Sequence, residues 1–238
     1  MEVQHIEAQF VRAARERIVE ARRAASEHLP EARPDADEPH YWQAVFEANA
    51  AAVLAVLPRV QLAAGHLVRY RSYGRRGSDL LVRPFVTRAG ADVSAVLNLL
   101  DWHAPPDAST PTATATQDVD LLYRHFQVEQ TATGAFEYWL AMQELWASQR
   151  WIHSTVLADA AELSQLTALP DWRLERPVER VEPAVIRGGL DGTQLAVLVH
   201  CPIERHAVTF HRVRIAADQS IEFADSVIVA LGPRGLLI

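Results

Sequence analysis

The spacing of apolar residues changes several times along this chain. Val3, Ile6, Phe10, Ala14, Ile18, Ala21 and Ala25 recur at steps of three and four, with arginine and glutamate between them. That period predicts an amphipathic helix ending before Pro30, with a thin, alanine-rich stripe suited to close packing on this chain or on a second copy. After the polar stretch 31–39, Asp37, Glu38 and Pro39 read as a helix start, because acids and proline are favoured in a first turn. Trp42, Val45, Phe46, Val53, Val56 and Leu57 give this second helix a broad apolar face, and Pro58 or Gly65 closes it.

From His66 the pattern becomes extended. Two runs, His66 to Tyr73 and Asp79 to Thr87, flank Gly74-Arg75-Arg76-Gly77-Ser78, and glycine at both ends of a short polar loop signals a hairpin. This hairpin either extends a larger sheet or packs beside it. Residues 93–100 read as a short helix or a strand. Residues 104–117 are low in complexity, have almost nothing to bury, and are expected to form a mobile surface loop.

Three helical segments follow. Val119, Leu122 and Phe126 mark the first, within Asp118 to Gln130. The second, Ala135 to Ile152, is apolar nearly all round its circumference, as central helices are. Ser154 or Thr155 can cap the third, which Pro170 stops.

The last quarter of the chain reads as a β-meander: Val181 to Ile186, Gln194 to His200, His206 to Ile215 and Ile221 to Leu231, with turn residues between. Leu195 to Val199 is apolar on both faces and belongs in a sheet interior. The next strand alternates less cleanly and carries one wetter face. Together these signals predict a single α+β domain over 1–238: a mostly antiparallel sheet of about six strands, the 66–88 hairpin plus the four-stranded meander, covered by about five helices.

Composition narrows the chemistry. The 238 residues are 49% hydrophobic and 22% charged, ordinary for a soluble globular protein. No apolar run reaches the roughly 20 residues a membrane helix needs, and the first residues lack a secretory pattern, so a bacterial cytoplasm is the expected location. Cys201 is the only cysteine, which rules out an intrachain disulfide and a cysteine-rich zinc site. All 23 basic residues are arginine, as in a GC-rich genome. Without lysine there is no Schiff base, no Walker-type phosphate loop and no lysine general base. A net charge of -7 argues against general nucleic-acid binding by the whole surface.

Two constellations stand out. Arg69, Arg71, Arg75, Arg76, Arg83 and Arg88 sit on the hairpin against a single acid, Asp79, inside an otherwise acidic chain. Arginine forks grip carboxylate and phosphate at two points, and Tyr70 and Tyr73 can stack on a ring. With Arg69, Arg71, Tyr73, Arg75, Arg76 and Arg83 as contacts, the expected function is non-catalytic binding of a phosphate-bearing ligand or an acidic partner protein, with no cofactor. The plainer alternative is a solvated ribbon paired with the chain's own acids.

The second is His200, His206 and His211. A turn centred on Ile203 and Glu204 would set His200 opposite Ala207 and Cys201 opposite His206, with His211 farther along the face of His200. Such imidazoles could hold zinc or another divalent metal in a small hydrolase, with Glu204 or a helix residue completing the shell. Hydrogen-bonded histidines on a wet face are the plainer reading. Cys201 reads as an inert thiol. Asp101-Trp102-His103 and His153-Ser154 read as helix-end caps, and the tryptophans 139, 146 and 151 as core.

Overall fold

Ile6, buried to 2%, separates two elements where the apolar period suggested one helix. The structure, a computed structural model, describes residues 2–27, 39–73, 81–91, 119–120, 122–147, 154–189, 192–202 and 205–234. Its first element is strand β1 (Glu2–His5), and helix α1 (Ala8–Glu27) follows. Val3 fits the helical spacing by coincidence, being half exposed and paired with Ile186 far along the chain. Helix α2 (Pro39–Ala55) begins at proline, where the missing N–H costs nothing. The central helix α3 (Ala132–Ala147) buries Phe136, Trp139, Leu140, Met142 and Leu145, in keeping with its all-round apolar sequence.

The meander forms nearly as its sequence predicts, as β9 (Ala184–Gly189), β10 (Gly192–Cys201), β11 (Arg205–Ile215) and β12 (Ile221–Arg234). Three short strands enlarge it: β1 beside β9, β8 (Arg173–Leu174) beside β12, and β7 (Thr155–Val156) beside β10 beyond the reach of β9. The result is a seven-stranded antiparallel sheet with β10 inside it. Leu195, Val197 and Val213 turn one face toward α1, α2 and α3 in the main core. Leu198, Val208 and Ala230 turn the other toward Leu157, Val181 and Leu163 in a smaller second core. The last of these lies on helix α4 (Ala160–Thr167).

The 66–88 hairpin does not join this sheet. Its strands β3 (His66–Tyr73) and β4 (Leu81–Arg88) form a separate three-stranded sheet with β5 (Val119–Asp120). Val68, Tyr70 and Val86 pack it into the main core. The Tyr70 ring lies 5.7 Å from that of Phe46, and its hydroxyl donates to the Leu145 carbonyl at 3.2 Å. A further pair, β2 (Val60–Leu62) and β6 (Phe126–Val128), flanks the helices.

Residues 119–120 and 122–130 are therefore not the helix that Val119, Leu122 and Phe126 suggested. Strand pairs at each end enclose a 3-10 turn (Leu122–His125). Likewise Thr155 does not cap a helix, since it pairs with His200. The cap of α4 is Asp159, whose side chain accepts from the Glu162 N–H. Among the described residues there are four α-helices, and none is long and apolar enough to cross a membrane. The segments 93–100 and 104–117 lie outside the described residues.

Candidate functional site

Tyr70 faces Pro84 across the ribbon, and Tyr70 N–H turns away from β4 to donate to Glu47 of α2 at 3.4 Å. Proline, which has no N–H, occupies a position where β5 offers no partner. Because Val68, Tyr70 and Val86 point into the core, alternation places positions 69, 71 and 73 on the opposite ribbon face, with 81, 83 and 85 across from them. Four candidate contacts, Arg69, Arg71, Tyr73 and Arg83, thus share one face by register. Arg71 and Arg83 are direct cross-strand partners, an arrangement that costs free energy when both are cationic. Arg69 is tied back to Glu47 by an ion pair of 3.0 Å. Arg75 and Arg76 lie in 74–80, outside the described residues.

The histidines divide two and one. Cys201 pairs with Ala207 and His200 with Val208, one residue away from the expected register. A one-residue slip exchanges faces. His206 therefore shares the face of His200, while His211 falls on the opposite one. His200 Nε2 and His206 Nδ1 stand 3.3 Å apart, and Trp172 covers both, its ring 5.6 Å from the first and 6.2 Å from the second. Gly232 lies beneath: a Cβ there would sit 2.5 Å from the Trp172 ring and 2.9 Å from His206 Cβ, so only glycine fits. Burial, and then the neighbouring His206, lower the pKa of His200. His211 instead stands 3.1 Å from Ser226 Oγ with Phe223 edge-on, and burial lowers its pKa too. Among the described residues no three metal-binding side chains converge. Cys201 is a half-buried free thiol, and Glu204 lies outside the described residues.

Two charge clusters went unread in the sequence. Glu137 of α3 is fully buried and accepts from Arg59 N–H at 3.0 Å, from Arg59 Nη1 at 3.1 Å and from Arg17 Nη2 at 3.2 Å. It fastens α1 and the start of β2 to the central helix. The available signal was an acid set in a helix apolar on every side, which must either reach water or find a cation.

Arg12 and Arg15 of α1 bind Asp159 and Glu162 at the start of α4, Arg15 reaching Glu162 at 2.7 Å. Hydrogen bonds from the Glu162 N–H and from Arg12 hold Asp159 below the usual carboxylate range. Burial pushes Glu162 up, but hydrogen bonds from Arg15 and the Ala158 N–H, with Arg12, outweigh it. Both clusters join elements of one chain, and their geometry is structural.

A recess of about 120 Å³ lies against the second sheet face between His5, Arg180, Ala196 and Phe210. Ligand pockets for drug-sized molecules are roughly 300–1,000 Å³, so it is too small for one. No family model, curated protein or solved structure matches this chain.

Proposed function

We propose that the chain is a non-catalytic binding protein that holds an anionic group, a phosphate-bearing ligand or the carboxylates of an acidic partner, on its arginine ribbon. The observation that supports this is the direct pairing of Arg71 with Arg83, on the ribbon face that also carries positions 69 and 73. Like charges placed opposite one another are disfavoured in an unoccupied sheet, and an anion between them reverses the sign. The acidity of the chain as a whole confines this attraction to the ribbon. We take the protein to be bacterial and cytoplasmic, in line with its all-arginine basicity and single free thiol.

The metal-hydrolase alternative sets three histidines on one face, whereas among the described residues the register gives one face His200 and His206 and the other His211. The test is calorimetric titration of untagged protein with pyrophosphate and, separately, with a polyglutamate peptide, repeated on Arg83→Glu and on the Arg75→Glu, Arg76→Glu double variant. A loss of at least tenfold in either variant supports the ribbon. Unchanged affinity in both, or no binding by the parent protein, overturns it.

A further inference from the structure

The pair His200 and His206 is built differently from the other close histidine pair among the described residues. His66 and His125 lie face to face, with ring centres 4.5 Å apart. The rings of His200 and His206 are near-parallel at 24°, but their centres are 5.5 Å apart while Nε2 of one and Nδ1 of the other approach to 3.3 Å. The two nitrogens therefore lie between the rings, edge to edge, with their lone-pair directions turned toward each other. Such a pair can share a proton. It can equally share a cation that prefers imidazole.

We infer that His200 and His206 form a two-histidine site for a borderline transition-metal ion of the zinc or nickel class. An ion about 2.0–2.1 Å from each nitrogen would see them at an angle of roughly 105°, close to tetrahedral, and would sit off the line joining them, so each ring must swing by roughly 35–40° from its hydrogen-bonded orientation to aim its lone pair at the ion. Two adjacent strands fix the backbone positions, and Trp172 lies against both rings. The fixed strand pairing holds both imidazoles within reach of one ion, which reduces the ordering that ligation must impose. Both histidines are half-buried, leaving the remaining positions to water. The site needs neither His211 nor the arginine ribbon, and stands independently of the anion-binding reading.

The experiment is calorimetric titration of untagged protein with NiCl2 and with ZnCl2, alongside His200→Ala, His206→Gln and His66→Ala. One ion per chain is expected, with affinity reduced at least tenfold in the first two variants and unchanged in the third. Nickel should also quench Trp172, a quench that Trp172→Phe removes while ion binding persists. Circular dichroism of each variant separates lost ligation from lost folding. If a folded His200→Ala or His206→Gln variant binds as well as the parent, or if His66→Ala carries the loss, the assignment is wrong. It is also wrong if the parent takes up no ion.

Discussion

Arg83→Glu should change stability and binding in opposite directions. In the parent ribbon Arg71 and Arg83 are direct Cα partners across the hairpin. An opposite-charge cross-strand pair contributes roughly 0.2–1 kcal/mol relative to alanine, and a like-charge pair costs a similar amount. Exchanging one for the other should therefore stabilise by about 0.5–1.5 kcal/mol. In a chain of this length, about 1 kcal/mol corresponds to roughly 2–4 °C in Tm. The gain should shrink in about 1 M salt, where exposed charges are screened beyond roughly 3 Å. Binding should move the other way, since a lost hydrogen bond to a charged group costs about 1.5–3 kcal/mol, tenfold or more in Kd. Arg71→Glu should reproduce both effects, whereas the double variant restores like charges and should regain neither stability nor affinity. Differential scanning fluorimetry at low and high salt reads the first quantity and calorimetry the second. A fall in Tm for Arg83→Glu would refute the register argument; a rise in Tm with pyrophosphate and polyglutamate binding both unaltered would show that the ribbon carries its charges into water alone.

Three further outcomes follow from the packing. Glu137→Ala leaves Arg59 N–H and two guanidinium groups without their carboxylate, and should cost about 3 kcal/mol in urea denaturation, somewhat below the full cost of a buried broken pair because Arg17 and Arg59 reach solvent. Gly232→Ala should destabilise by about 1–3 kcal/mol and weaken nickel binding together, because the added methyl meets Trp172 and His206 at once. Stability against pH should fall in two stages on acidification. The contribution of His211, whose pKa is lowered on folding, is complete above its ordinary 6.5 and is lost as pH falls toward the folded value. Asp159 and Glu162, also lowered, hold until pH drops below about 4 and are lost as it falls through their folded values. His211→Gln should shrink the upper stage, to which His200 also contributes, and leave the lower one, as read by chemical denaturation from pH 8 to 3.

The parts of the fold legible in the sequence are those whose signals are local. Pro39 at a helix start, the apolar circumference of α3 and the turn-bounded strands β9 to β12 all follow from short-range preference and periodicity. What the sequence concealed depends on partners far away. Val119, Leu122 and Phe126 keep a helical spacing, yet β4 and β2 draw their flanks into strands. The histidine pairing was read one residue out of register: local spacing could not place the β10–β11 turn, and the shift sends His211 to the other side of the sheet while bringing His200 and His206 together. Trp172 was invisible as their cover because it comes from the loop before β8. Glu137 was legible in principle, as an acid with no wet side to turn to, but its cations lie on α1 and ahead of β2.

The strand Glu2–His5 has a consequence for how the molecule is made. Its partners, Ala184 to Arg187, leave the ribosome roughly 180 residues later, so β1 waits unpaired while everything between is made. Closure of so long a loop is entropically slow, and the sheet should be the last unit to consolidate, well after α1 and α2 have met. Until then β1 is itself an unpaired strand open to neighbouring chains, and once docked on β9 it becomes the terminal strand of the large sheet, the place where another chain could add.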